Sequence, residues 1–333
     1  MPASTSASSP VRLGIDLGGS KIEIAAFAPD GVEQLRRRIA TPKGTYEGTI
    51  AALAALVAAV EDELRLGAGG ATVGIGTPGS LSRATGLLRG SNSVCLNGRP
   101  FRADLAVALG RPIAMSNDAN CFALSEATDG AGAGARVVFG VILGTGVGGG
   151  IVVDGRVLDG PNGIAGEWGH NPLPWPRDDE RPGAACFCGR SGCIETFLSG
   201  PGLERDHARA IGAVAAAPRS DGSVAGTTAT AVTIGAAAAA GDFAAQQTLA
   251  RYEERLARAL AHVVNVLDPD VIVLGGGLSN LDRLYARVPA LWGPWVFSDR
   301  VDTRLVRNRH GDSSGVRGAA WLGAAAGAAS AGR

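Results

Sequence analysis

The chain lacks any excess of charge: Lys and Arg together number 31, as do Asp and Glu. A nucleic-acid binder normally shows a basic excess or patch, so the balance argues against that class. Also absent is an apolar run of the roughly 18 residues that a membrane span needs. The leading MPASTSASSP has neither the basic nor the apolar region of a secretory signal. It reads as a disordered lead over residues 1–10, and the expected compartment is the cytoplasm. Cysteine is scarce, with five in 333 residues, and a reducing compartment makes a disulfide framework unexpected. No G-X-Y period accompanies the glycines, which excludes a collagen-like chain. Core-forming residues are not lacking: 46% are hydrophobic and 19% charged, enough to bury a sizeable core. At roughly 150 residues per domain, the length implies about two domains.

What is abundant is glycine, with 50 residues, about twice the average usage of roughly 7%. Glycine lets the backbone come close to a ligand, so the positions of its clusters matter. Three clusters each follow an apolar, strand-like segment: DLGGSK (16–21), GTGVGGG (144–150) and GGG (275–277). In each, backbone N–H groups can converge on an anion such as phosphate. Ordinary hairpin turns are the alternative, and three such clusters at strand ends favour phosphate. Asp16 at its strand end can hold Mg²⁺ through water, and Lys21 can neutralise phosphate charge. Neither the Walker spacing nor the dinucleotide fingerprint occurs. The pattern strand, glycine turn, strand appears at 11–28 and again at 136–153, a weak internal repeat that suggests two related lobes. Helical periodicity marks 46–66, 101–109, 119–127, 249–267 and 316–328. The fourth of these should stop near Asp268, before Pro269. Alternating strands and helices give an α/β class. Residues 172–185 read as a loop and 218–230 as a mobile surface segment.

His170, Cys186, Cys188 and Cys193 give H-x15-C-x-C-x4-C. Three thiolates and one imidazole form a closed tetrahedral Zn²⁺ site with no position for water, so the expected zinc is structural. Cys95 and Cys121 stand alone and read as inert thiols. Asn117-Asp118-Ala119-Asn120 follows a short strand. Asp118 is a candidate general base there, with a helix N-cap as the competing reading. Glu167 precedes His170 by three residues and Glu195 follows Cys193 by two, so a zinc would hold both carboxylates in one neighbourhood. His170 could bind zinc with one ring nitrogen and present the other to a ligand. With Asn92, this set suits the reading of hydroxyl groups, hence a polyol or sugar.

The motifs DLGGSK, GTPG, NDAN, GTGVGGG, GEWGH and C-x-C-G-x-x-G-C-I-E resemble, in kind and order, those of the ROK family of sugar kinases and repressors. The resemblance runs from about residue 11 to 323. Through SNSVCLNGRPF (91–101), EWGHNPLPW (167–175), CIETFLSG (193–200) and RHGDSSGVRGAAWL (309–322), the chain is most similar to the fructokinase subgroup of the manno(fructo)kinase type. The related N-acetylglucosamine kinases share much of the pattern. Ser20 stands where Thr is commoner, which keeps the hydroxyl. Cys95 stands where a residue of this subgroup is often aromatic.

The resemblance implies an actin-like ATPase fold, with two ribonuclease H-like lobes and a central cleft. The N-terminal lobe is expected over 11–117, and the C-terminal lobe over 118–315 with the zinc loop at 170–193. The helix 316–330 is expected to pack back onto the first lobe. ATP would lie on Asp16, Gly18, Gly19, Ser20, Lys21, Gly144, Thr145, Gly146, Gly148, Gly275, Gly276 and Gly277. The hexose would be held by Gly79, Asn92, Asn117, Asp118, Glu167, His170 and Glu195, with Asp118 matching the family's catalytic base. The implied reaction is ATP- and Mg²⁺-dependent phosphorylation of fructose at its 6-position, with mannose, glucose or N-acetylglucosamine as alternatives. A homodimer is implied as well. A sugar-responsive repressor would carry an N-terminal helix-turn-helix domain, and a first strand at residue 11 leaves no room for one. Retention of Asp16, Lys21 and Asp118 argues against a non-catalytic sugar sensor.

Overall fold

The computed structural model describes residues 10–331 except 43, 68, 92 and 213–228. The lead expected over 1–10 lies outside them save for Pro10, as does most of the stretch 218–230. The chain forms two compact units. The first takes in residues up to 125, 157–165 and those from 312 on, and the second takes in 126–156 and 166–311. Residues 118–125, 157–165 and 312–315, expected in the C-terminal lobe, therefore cluster with the first unit.

In the first unit, Val11–Leu17 (β1), Lys21–Phe27 (β2) and Glu33–Ala40 (β3) form an antiparallel meander. Ala71–Thr77 (β4) lies parallel to β1. A separate ribbon follows, Ser80–Leu81 (β5) with Leu88–Arg89 (β6). Ala114–Asn117 (β7) then pairs parallel to β4 and completes the order β3-β2-β1-β4-β7. The apolar residues Leu13, Ile15, Ile22 and Ile24 are fully buried. They share one core with Leu53, Val57 and Val60 of Tyr46–Glu63 (α1) and with Leu105 of Phe101–Leu109 (α2). Asp118–Thr128 (α3) starts directly after β7.

The second unit repeats the plan. Val137–Leu143 (β8) and Val147–Val153 (β9) are an antiparallel hairpin, edged by the short Arg156–Val157 (β10). Val271–Gly275 (β11) and Arg304–Arg307 (β12) extend it in parallel, in the order β10-β9-β8-β11-β12. The strand β9 begins at Val147, inside the glycine cluster 144–150, so Gly148–Gly150 belong to the sheet and not to a phosphate turn. Packing explains the glycine: a Cβ at Gly149 would lie 2.7 Å from Gly166 O and from Trp168 Cδ1. The helices of this unit are Ile194–Leu198 (α4), Gly200–Ala210 (α5), Ala231–Ala239 (α6), Phe243–Leu267 (α7) and Leu284–Trp292 (α8). Leu249, Tyr252, Leu256 and Leu260 of α7 are buried in the core, and the helix ends at Asp268 in the left-handed region (φ 46°).

The C-terminal helix Ser314–Ala331 (α9) belongs to the first unit and lies on β1 and β4. The approach is so close that only glycine fits. A Cβ on Gly14 would come within 1.9 Å of Val316 O, and one on Gly74 within 1.8 Å of Ala319 O. Part of the glycine excess therefore serves helix-on-sheet packing. Among the described residues, no helix is long and apolar enough to cross a membrane.

Candidate active site

In the first unit the parallel strands β1, β4 and β7 bring polar residues to one edge. Their register sets Asp16 opposite Gly76, Gly76 opposite Ser116 and Thr77 opposite Asn117. The carboxyl ends of parallel strands are where open α/β sheets bind ligands. Asp16 is pushed up to about 6, first by burial and then by the charges of Asp118 and Glu23, against Lys21 and Arg38, which lower it. Asp118 is raised by burial, and the N–H of Ala119 works in the opposite direction. That N–H donates to Oδ1 of both Asn117 and Asp118, at 2.8 Å each. Asn117 stands just before α3 and so serves as its cap, while Asp118 keeps Oδ2 clear of this bond. Asn117 Nδ2 donates to Gly79 O at 3.2 Å. Gly79 has φ +87°, and a Cβ there would lie 2.3 Å from Arg89 O, which fixes it as glycine. Beside this group is a polar cavity of about 450 Å³, lined by Gly79, Asn117, Asn120 and Asp159 among others.

The first glycine turn differs from an open anion cradle. Gly18 N–H donates to Lys21 O at 3.0 Å, and Thr41 Oγ1 donates to Gly18 O at 2.7 Å, so that amide closes its own hairpin. Gly19, Ser20 and Lys21 are exposed. Asn92, an expected sugar contact, lies outside the described residues.

In the second unit two of the glycine clusters meet at one cavity of about 1020 Å³. Gly144 and Thr145 of the β8–β9 turn, Gly277 beyond β11, and Gly200 and Pro201 at the start of α5 line one part of it. A Cβ on Gly144 or Gly277 would meet nothing within 4 Å, whereas one on Gly276 (φ +79°) would lie 2.5 Å from Leu143 O. Gly144 and Gly277 thus border open space, and Gly276 secures the approach of β11 to β8. Gly200 N–H donates to Gly144 O at 2.8 Å, and Ser199 Oγ caps α5 by accepting from Gly202 N–H at 3.1 Å. A helix N-terminus beside a glycine turn favours an anionic group. The remaining walls are the small residues of α6 and the segment 278–283. Gly148 lies within β9, and its carbonyl accepts from Trp168 Nε1 at 3.0 Å.

The third feature, also in the second unit, is the Cys/His cluster. The ligand atoms of His170, Cys186, Cys188 and Cys193 all lie within 4.8 Å of one another. Cys186 Sγ is 3.5 Å from His170 Nδ1, and Cys188 Sγ is 3.6 Å from Cys193 Sγ. A tetrahedral zinc with bonds of about 2.0–2.3 Å has ligand–ligand edges of about 3.3–3.8 Å, so the donor set and these two separations fit such an ion. Positive φ at Gly189 and Gly192 lets the loop turn between its ligands. The nitrogen in the cluster is Nδ1, which leaves Nε2 on the far side of the ring. Glu195 ties the cluster to the glycine turn. Its Oε2 accepts from Val147 N–H at 2.9 Å, and its Oε1 is 4.0 Å from Cys186 Sγ. Glu167 is exposed at the start of the short 168–170 turn.

Comparison with known proteins decides the family. The ROK family model matches residues 12–326. The chain belongs to the ROK family. Among curated relatives, an N-acetyl-D-glucosamine kinase of Pectobacterium atrosepticum is 40% identical over 313 residues, covering 93% of this chain and 97% of its own. The protein of the same name from Vibrio cholerae is 40% identical over 317 residues, with 93% and 98% covered. Among solved structures, the ROK hexokinase of Thermus thermophilus is 32% identical with a TM-score of 0.81, over 96% of this chain and 99% of that one. A ROK family glucokinase from Streptomyces griseus, solved with glucose and AMPPNP, is 28% identical with a TM-score of 0.72, covering 94% and 98%.

Within this ROK chain, sequence reasoning missed most of the large cavity. Its walls include Glu204, Ala231, Gly235, Leu281 and Arg283. These come from α5, α6 and the segment just before α8; α6 is Ala-rich and carries little periodic contrast. The one available signal was the spacing of Gly144 and Gly277 after two neighbouring parallel strands.

Proposed function

We propose that the chain is an ATP-dependent sugar kinase whose preferred acceptor is N-acetylglucosamine. The observation that carries the reading is the naming of its curated relatives, 37–40% identical over 93–94% of the chain. The expectation of fructose rested on short segments, and those segments have less weight than similarity over the whole chain. In the proposed mechanism Asp118 accepts the proton of the sugar's hydroxymethyl group as its oxygen bonds to the γ-phosphorus. The bond from that phosphorus to the β,γ-bridging oxygen breaks, and ADP leaves. Burial that raises Asp118 suits a group that must take up a proton. The triphosphate would lie where Gly144 and Gly277 border open space, beside the start of α5. Mg²⁺ would offset phosphate charge when bound. Asp16, held between the negative charges of Asp118 and Glu23, is the carboxylate best suited to it. Phosphoryl transfer relies chiefly on positioning and charge stabilisation, which these groups supply.

Asn117, Glu167, His170 and Glu195 are the proposed sugar contacts. Zinc in the Cys/His cluster would act as a structural ion, since all four donors are protein atoms. A coupled assay with ATP across N-acetylglucosamine, fructose, mannose and glucose tests the acceptor. N-acetylglucosamine should give the highest kcat/KM; a higher value for fructose would overturn this choice.

A further inference from the structure

The large cavity of the second unit has a wall that the glycine turns do not explain. It is formed by Asn280–Arg283 and shares the cavity with the small residues of α6. The two walls are close, since a Cβ on Gly235 would lie 2.9 Å from Leu281 Cδ2. They meet at that point, and the cavity that opens beside it is mainly apolar, a lining that suits the faces of a flat ring. Among the described residues that line it, Arg283 is the only cation. Its guanidinium is held from behind. Nε donates to one oxygen of Glu253, and a terminal nitrogen donates to the other at 3.2 Å. Glu253, on α7, is fully buried, and Arg287 Nε lies 3.6 Å from the same carboxylate. The two acidic residues that line the cavity have other partners: Glu204 accepts from Ala231 N–H at 3.0 Å, and Asp282 accepts from Arg307 at 2.6 Å. A bidentate carboxylate fixes the guanidinium plane and offsets much of its charge. Such a group is better suited to stacking by its face than to gripping phosphate.

We propose that Arg283 recognises the nucleotide base by stacking on a purine, and that Glu253 is its positioning residue. The proposal rests on the reading that this cavity holds the nucleotide. The opposite face of the purine lies against Ala236 and its neighbours on α6, and the phosphates extend toward Gly144 and Gly277. A purine overlaps the guanidinium more than a pyrimidine does, so the arrangement favours ATP over CTP.

Steady-state kinetics of Arg283→Ala and Arg283→Lys test it, with ATP and CTP as donors and inorganic tripolyphosphate as a competitive inhibitor. Both variants should raise KM for ATP by about five- to tenfold. The KM for CTP, kcat, the sugar KM and the tripolyphosphate inhibition constant should change far less. Failure of lysine to rescue marks the plane, and not the charge, as the needed feature. Glu253→Gln, which keeps a hydrogen-bond acceptor, should show a weaker effect of the same kind. Equal weakening of ATP and tripolyphosphate would overturn the proposal in favour of a phosphate contact. Ala236→Phe, which fills the slot from an exposed helix position, separates the two levels. If it raises KM for ATP and Arg283→Ala does not, the stacking role alone is overturned. If neither raises it, the nucleotide assignment of the cavity falls as well.

Discussion

At the scale of the residue, the carboxylates at the strand ends set function against stability. Asp16 has a pKa of about 6 in the folded chain, against an ordinary value of 3.8. Because the folded value is the higher one, ionising Asp16 opposes folding. The penalty is absent below about pH 4, grows as pH rises to about 6 and is complete above that. By linkage it amounts to about 3 kcal/mol at most. Asp16→Asn should therefore raise the melting temperature at pH 8 and much less at pH 4, while lowering kcat/KM sharply. Thermal unfolding at the two pH values reads the first effect, and no gain at pH 8 would count against a buried, charged Asp16. In the unsubstituted protein, kcat/KM should fall as pH drops through about 6. That Asp16 stood at a strand end was legible in the sequence. Its charge state was not, because it depends first on burial and then on the charges of Asp118 and Glu23, which only the fold brings about. The glycines were legible as clusters but not one by one. Gly144 borders open space, Gly149 packs against Trp168 and Gly18 closes a hairpin, and these differences come from contacts distant in sequence.

At the scale of the element, the loop between β10 and α4 owes its order to polar and sulfur groups more than to regular structure. Glu180 is buried under Arg255 and Arg258, and Arg258 also donates to the carbonyls of Pro174 and Trp175. These bonds fix the segment between His170 and Cys186 on α7. The Cys/His cluster fixes its two ends. Cys188→Ser should lose the metal and lower the melting temperature by roughly 5–10 °C. Sugar affinity should weaken with it, because Glu195 joins the cluster to the β8–β9 turn. Metal analysis together with sugar titration checks this, and full sugar affinity in a metal-free variant would sink the scaffold role. The cysteine spacing made this cluster plain from sequence, since few arrangements place three thiols and an imidazole so near. The helices α5, α6 and α8 were not foreseen. In α6 alanine occupies the exposed position 236 as well as the buried position 238, so hydrophobic periodicity has nothing to contrast. The long helix α7, with bulky buried residues at helical spacing, was readable to its final turn.

At the scale of the whole molecule, one sheet plan is used twice, with different chemistry in each copy. The β1–β2 and β8–β9 hairpins each continue into parallel strands, and each turns on glycine. Where β1 carries Asp16 one residue before its last, β8 carries Ile142, so the second copy has no matching acid. The second copy has instead the wide apolar cavity and the Cys/His cluster. On the proposed reading, acid–base work belongs to the first unit and nucleotide binding to the second. Substitutions in the two units should then separate cleanly. Asp118→Asn should reduce kcat by about 10²–10⁴ while leaving the dissociation constant for ATP within about twofold. Gly144→Ala places a methyl group where nothing stands within 4 Å. It should fold normally and weaken ATP binding, with sugar affinity retained. Calorimetric titration of both ligands into both variants, with steady-state rates, measures each effect separately. Near-normal kcat in Asp118→Asn would remove Asp118 as the base. Unchanged ATP affinity in Gly144→Ala would remove the phosphates from the β8–β9 turn.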